Sequence, residues 1–147
     1  MPMIRQKVKA AADEGFTLLE VLVVIVIIGL LVGFVAPAVL RQLGGARVSV
    51  AKQSIERLSS ILDMYKLDVG SYPSTADGLT ALVTQPSDAS NWSGPYLKGD
   101  GTLLDPWNHP YVYRNPSNRS ALDYDLCSLG PNGQNGSENS GNMICNH

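Results

Sequence analysis

Gly15-Phe16-Thr17-Leu18-Leu19-Glu20 stands directly before an uncharged, mostly aliphatic run from Val21 to Leu40, and the reading of this stretch decides the fold. As one helix rising 1.5 Å per residue, the run is long enough to cross the ~30 Å hydrocarbon core of a bilayer. One carboxylate, Glu20, sits at its N-terminal edge. Arg5, Lys7 and Lys9 precede it and Arg41 closes it. Basic residues ahead of a membrane helix hold that end in the cytoplasm, so the body of the chain is expected on the outer face.

Two ordinary readings explain only part of this. A secretory signal has an apolar core of roughly 7–15 residues followed by a small-residue cleavage site. Here the core is longer, no such site follows it, and a glycine precedes it after Asp13-Glu14. A plain anchor explains the length but not the acid. A charge deep in a membrane helix costs about 2.5–3.5 kcal/mol on insertion scales. Glu20 therefore either snorkels to the headgroups of an uncut anchor or has a partner.

Of 147 residues 44% are apolar, but much of that share lies between Phe16 and Leu40. The part left to fold in water is roughly a hundred residues, with a thin core that extra fastening would help. A net charge of −2 and the lack of a basic patch speak against nucleic acid as a partner. Cys127 and Cys145, if exported, read as a disulfide, the alternative being two buried thiols. No enzyme is read here. His109 lies in a proline-flanked turn, His147 is terminal, and no zinc spacing or nucleophile elbow occurs. Asp123 and Asp125 have the spacing of a solvated strand face.

Along the chain, Pro37 removes a backbone donor and favours a kink. Gly44-Gly45 is a second weak point of the helix. Val48, Ala51, Ile55, Leu58, Leu62 and Tyr65 then recur at three and four residues, one apolar stripe that Ile61 and Leu67 widen. Gly70 is a stop signal, with Pro73 beyond it. Ser74 or Thr75 is placed to cap a short helix to about Val83. Asp105-Pro106-Trp107-Asn108-His109-Pro110 reads as a turn. Tyr111–Arg114 and Leu122–Leu126 read as strands, with Leu122, Tyr124 and Leu126 facing the helix and the aspartates facing water. The expected class is α+β: a long N-terminal helix, membrane-spanning in its first half and amphipathic in its second, packed on a small antiparallel sheet.

Gly15-Phe16-Thr17-Leu18-Leu19-Glu20-Val21 resembles the processing site of type IV pilins and pseudopilins, and the likeness extends to Pro37. The resemblance implies a leader, residues 1–15, removed by a prepilin peptidase after Gly15, and N-methylation of the new terminal Phe16. It implies a membrane and filament-core helix over 16–40 and a periplasmic domain over 41–147. An α-amino group has a free pKa near 7.7–8.0 and is mostly cationic at neutral pH. Glu20 lies about one helical turn along. A neighbouring subunit shifted along the axis would set its Glu20 beside the Phe16 amine, cancelling two costly charges. In filaments of this family the segment near Pro37 can lose helix, and Pro37 to Gly45 is where such strain is expected here.

Later motifs narrow the resemblance. Asp63-Met64-Tyr65-Lys66-Leu67-Asp68, Tyr72-Pro73, Gly78-Leu79, Tyr96-Leu97-Lys98, Asp105-Pro106-Trp107 and Tyr124-Asp125-Leu126 with Ser128-Leu129-Gly130 resemble the G-type major pseudopilins of type II secretion. That implies a pilin-like fold and a homopolymeric filament in the periplasm that moves folded proteins through an outer-membrane channel. The implied partners are minor pseudopilins, the prepilin peptidase, the inner-membrane assembly platform, and the inner membrane itself before assembly. A separate ATPase supplies the energy. The alternatives are a surface pilin for adhesion, motility or DNA uptake, and an anchored binding module that never polymerises.

The chain departs from these relatives after Gly130. They usually carry an aspartate-rich loop there that binds calcium. Asn132 stands at the first aspartate position, Asn139 and Ser140 near the later pair, and only Glu138 keeps a charge. Calcium takes six to eight oxygens, with carboxylates giving most of the affinity. No tight calcium site, and no other cofactor, is therefore expected. A Cys127–Cys145 bond would close about 19 residues over this segment, worth ~3 kcal/mol in the chain-entropy model, and would pin the tail in the ion's place.

Overall fold

The computed structural model describes residues 15–99, 103–135 and 142–147. It divides into two units, one ending at Arg41 and one spanning Gln42–His147. The element order is α1 (Leu18–Val69), a 3-10 helix (Gly78–Leu82), β1 (Val112–Arg114), β2 (Asp125–Ser128), a 3-10 segment (Gly130–Asn135) and β3 (Ile144–Cys145). This is the expected α+β, pilin-like class.

In the first unit α1 is apolar on every face, and its side chains from Leu18 to Leu40 are all exposed. Its most apolar window has a mean hydropathy of 3.1 and is 0% buried, so the helix is long and apolar enough to cross a membrane. A helix apolar all round needs either a lipid or a protein surround. The assigned helix is continuous at Pro37 and at Gly44-Gly45.

In the second unit α1 turns amphipathic. Ala51, Ile55, Leu58, Leu62 and Tyr65 are buried along one stripe, Val48 and Ile61 are half-buried, and Leu67 is 85% exposed. Leu67 therefore does not widen the stripe: its place on the helix turns it away from the core. Gly70 ends α1 at φ +98°, donating its N–H to the Lys66 carbonyl at 2.8 Å, a left-handed cap that a β-carbon would disfavour.

The stripe packs with Leu79, Leu82, Leu97, Tyr113, Tyr124 and Leu126 into one core. The short helix expected from Ser74 to Val83 is a 3-10 turn that starts later, at Gly78. Ser74 instead accepts the Asp77 N–H and donates to the Asp77 carboxylate. The 105–110 turn is present and is bracketed by a bridge between Leu104 and Pro110.

The sheet has the order β1-β2-β3, all antiparallel, with Tyr113 opposite Leu126 and Cys127 opposite Cys145. Residues Ile144–Cys145 add a strand that the sequence pattern did not reveal. The second strand begins at Asp125, so Leu122 precedes it. One facing is corrected. Tyr124 and Leu126 enter the core and Asp123 is exposed, but Asp125 is buried rather than turned to water. Protein donors, described below, take the place of its hydration.

Candidate functional site

The N-terminal motif is built on the first turn of α1. Thr17 is the residue before Leu18, and its Oγ1 accepts the Glu20 N–H at 3.2 Å. Its carbonyl accepts the Val21 N–H at 3.2 Å. Ser or Thr followed three residues later by Glu is the sequence pattern of a helix-capping box. The sequence reading passed over Thr17, although that spacing was there to find it. The cap places Glu20 at the third helical position, where a carboxylate also favours the positive end of the helix dipole. Gly15, Phe16 and Glu20 are all exposed, Phe16 at 82%. Residues 1–14, most of the expected leader, lie outside the described residues.

Two grooves flank the buried stripe of α1 in the second unit. One is lined by Lys52, Glu56, Asp63, Asp123, Asn146 and His147, and acids outnumber bases along it. Two of its acids already have partners. Tyr72 donates to Asp63 at 2.7 Å, and Lys66 meets Asp123 at 3.4 Å while lying over the Tyr72 ring. The other groove carries Arg57 and Lys98 beside Tyr96, Leu103, Leu104 and Tyr111, with no acid among the described residues that line it. Glu56 and Arg57 are consecutive in sequence, yet each opens onto a different groove.

The C-terminal strands are held by a polar network. Arg119 donates from Nε to Asp125 Oδ1 at 2.7 Å, from Nη1 to the Asn146 carbonyl at 2.9 Å and from Nη2 to Asn146 Oδ1 at 2.6 Å. The Ser117 hydroxyl and the Asn118 N–H also donate to Asp125. Burial alone would raise the Asp125 carboxyl. The Ser117, Asn118 and Arg119 donors outweigh it and hold the group below the ordinary carboxylate range. Cys127 and Cys145 form a disulfide.

A second node sits under the 105–110 turn. Asp105 accepts the N–H groups of Trp107 at 3.0 Å and His109 at 2.8 Å through Oδ1, and the Ser128 hydroxyl at 2.6 Å through Oδ2. His109 Nδ1 lies 3.1 Å from the Gly130 carbonyl, and Gly133 packs against the imidazole ring. From the sequence Asp105 was quoted only as part of a turn and of a family motif, with no anchoring role, and Arg119 and Asn146 were not singled out, since an isolated polar residue in a loop carries no periodic signal.

Of the positions named for the calcium loop, Asn132 is the one among the described residues. Asn132 is exposed, and both oxygens of the nearby buried Asp105 are occupied by protein donors. Among the described residues no three His, Cys, Asp or Glu side chains cluster. Glu138, Asn139 and Ser140 lie outside the described residues.

An apolar helix with an acid in its first turn, continuing into an amphipathic half that carries a small antiparallel sheet, defines a type IV pilin-like protein. The family of the type II secretion system protein G matches residues 38–147, and the prokaryotic N-terminal methylation motif matches residues 11–36. The type II secretion system core protein G of Pseudomonas aeruginosa is 44% identical over 128 residues, covering 84% of this chain and 87% of that protein. The core protein G of Vibrio cholerae is 42% identical over 141 residues, covering 94% of each. The crystal structure of the major pseudopilin from the type 2 secretion system of enterohaemorrhagic Escherichia coli superposes with a TM-score of 0.60 at 32% identity, covering 73% of this chain and 91% of that one. The chain belongs to the type II secretion system protein G family, the major pseudopilins, a family of structural components.

Proposed function

We propose that this chain is cut after Gly15, methylated at Phe16, and polymerised from the inner membrane into a periplasmic filament that drives folded proteins across the outer membrane. It has a mechanical role and no catalytic one. The observation that carries the reading is the exposed apolar half of α1 with its capped first turn and a single acid, Glu20. In a lipid or protein surround that acid needs a cation. The amine created at Phe16 of the next subunit supplies one at about the same depth. Minor pseudopilins and the inner-membrane platform are the expected partners, and the segment from Pro37 to Gly45 is where α1 would give on assembly.

The two grooves support a head-to-tail contact. An acid-rich flank and a basic flank on opposite sides of one helix complement each other between copies, not within one. Such a heterologous contact, when it does not close into a ring, generates a helical filament. The chain does this without a tight calcium site, its C-terminal tail being held by the Cys127–Cys145 bond.

The test is complementation of a strain deleted for this chain. Wild-type protein restores secreted enzymes to the medium and gives filaments by electron microscopy, whereas Glu20→Lys gives neither although the protein accumulates in the membrane. Normal filaments and secretion from Glu20→Lys would overturn the reading.

A further inference from the structure

Asn132 and Gly133 form an Asn-Gly step inside the 3-10 segment Gly130–Asn135. Asn132 is exposed, and its side chain has no hydrogen bond to another described residue. Gly133 is buried at a positive φ of 57° with ψ −143°, so the helical path breaks at this peptide. A β-carbon on Gly133 would lie 2.8 Å from His109 Nε2, closer than such atoms pack, so the imidazole rests on bare backbone. The packing therefore requires a glycine here. A glycine is also the neighbour that least hinders an asparagine side chain from reaching the next backbone nitrogen.

The other contact of the ring fixes where its proton sits. His109 Nδ1 lies 3.1 Å from the Gly130 carbonyl, a group that only accepts, so Nδ1 carries the hydrogen and the neutral ring keeps its lone pair on Nε2. Asp105 Oδ1, 3.9 Å from Nδ1, favours the same tautomer. Nε2 is the nitrogen turned to Gly133. The Gly133 N–H is one bond from the Cα that the ring covers, within the span of a single bridging water. Water reaches the ring, whose side chain is 31% exposed. An unbonded side-chain amide, an unhindered backbone nitrogen and a base thus meet at one peptide.

We propose that Asn132-Gly133 is a self-modification site, at which Asn132 deamidates with His109 as the proton acceptor. The Gly133 nitrogen gives its proton to His109 Nε2, directly or through water, and attacks the carbonyl carbon of the Asn132 side chain. The new C–N bond closes a succinimide ring. The bond from that carbon to the side-chain nitrogen breaks, and ammonia leaves with the proton that His109 returns. Water then opens the ring at either carbonyl, leaving aspartate or isoaspartate at position 132. One water is consumed, one ammonia is released, and nothing is oxidised or reduced. The chain gains one negative charge beside the 105–110 turn. The reaction needs no enzyme, so the charge at this position records the age of each copy. It holds whether or not the chain forms filaments.

The experiment incubates the purified full chain at neutral pH, folded and in urea, and follows conversion at position 132 by peptide mapping with mass spectrometry. An isoaspartate-specific methyltransferase counts the isoaspartate product. Urea gives the rate set by the Asn-Gly step alone. The folded chain is expected to convert Asn132 at no less than a tenth of that rate, to both products. His109→Gln keeps a donor for the Gly130 carbonyl but removes the base. It should slow conversion in the folded chain at least tenfold and leave the rate in urea unchanged. His109→Ala should be as slow and recover at least threefold when imidazole is added, which a purely structural role for the ring would not produce. Asn132 left intact in the folded chain while the urea sample converts would overturn the site. Conversion of folded His109→Gln at the wild-type rate would overturn the part given to His109. Should His109→Gln lose the near-ultraviolet circular dichroism of the wild type, His109→Ala with and without imidazole decides, and no gain from imidazole would refute the base.

Discussion

Arg119 and Asp125 meet at 2.7 Å between Nε and Oδ1, and the same guanidinium bonds both the carbonyl and the side chain of Asn146. One residue thus ties the start of β2 to the residue that follows β3. The pair is not a surface ornament: the Asp125 side chain is 11% exposed, and three donors besides solvent hold its charge. Removing one partner of a buried pair leaves a charge without its compensation, which is the costly direction.

Asp125→Asn is expected to destabilise the periplasmic unit by about 2–3 kcal/mol, because hydrogen bonds to a charged acceptor are lost and the amide nitrogen faces donors. The pH dependence has a definite sign. The folded Asp125 has a lowered pKa, so below the ordinary aspartate value the unfolded chain takes up a proton that the folded one refuses. Its contribution is full above pH ~4 and is lost as pH falls through the folded value. Urea melts between pH 2 and 6 should show the wild type losing stability on acidification more steeply than Asp125→Asn. Parallel curves would show that the pair contributes nothing specific.

Asp105 makes a similar prediction at the other end of the sheet. Its side chain is 0% exposed and accepts two N–H groups and the Ser128 hydroxyl. Asp105→Ala strands all three donors, at about 1–3 kcal/mol for each buried group left unpaired, and should unfold the 103–111 turn. Ser128→Ala removes one donor and should cost about 1–2 kcal/mol. Thermal melts rank the two. If Ser128→Ala proved the more damaging, the turn would be held by something other than this carboxylate.

All six tyrosines have phenol pKa values above the ordinary one, with burial the leading cause in each; Tyr72 and Tyr96 are also hydrogen-bonded to Asp63 and Asp68. A raised acid stabilises the fold fully below its unfolded value, and that contribution is lost as pH rises through the folded one. The protein should therefore become unstable above pH ~10. Absorbance of phenolate should stay low until the protein unfolds and then appear in a single step coincident with loss of helix. Gradual ionisation in the folded protein from pH ~10 would contradict the packing of these rings.

How legible these features were depends on whether they repeat. The stripe from Ala51 to Tyr65 recurs at helical spacing and was readable, as was the Gly70 stop. Leu67 was misread because apolar character alone does not fix its angle around the helix. Asp125 was misread because alternation assigns acids to solvent, and the Arg119 that buries it arrives from a loop six residues earlier. The third strand, Ile144–Cys145, is too short to show any period; only its cysteine hinted at a partner. Of the candidate site, Gly15, Phe16 and Glu20 stood out through their motif, whereas the flanking grooves depend on which loops come to lie beside α1, and no local pattern encodes that.

Those grooves give the sharpest test of the contact between subunits. Glu56 faces the acid-rich flank and Arg57 the basic one, and both side chains are exposed, so reversing either should barely change monomer stability. Glu56→Arg weakens the acid-rich flank, and Arg57→Glu places an acid on the basic flank. Each alone sets like charges against each other at every contact along a filament, and like-charge juxtaposition costs up to several kcal/mol per interface. Assembly should fall at least tenfold for either variant and recover partly at high salt, where exposed charges are screened. The double variant exchanges the two charges, so complementarity returns with its sense reversed. Cells that express the two single variants together should likewise form mixed filaments, since the altered acid-rich flank of one meets the altered basic flank of the other. Sedimentation of sheared filaments measures all four cases. A double variant no better than either single one, with salt having no effect on any of them, would mean that subunits stack without using these flanks.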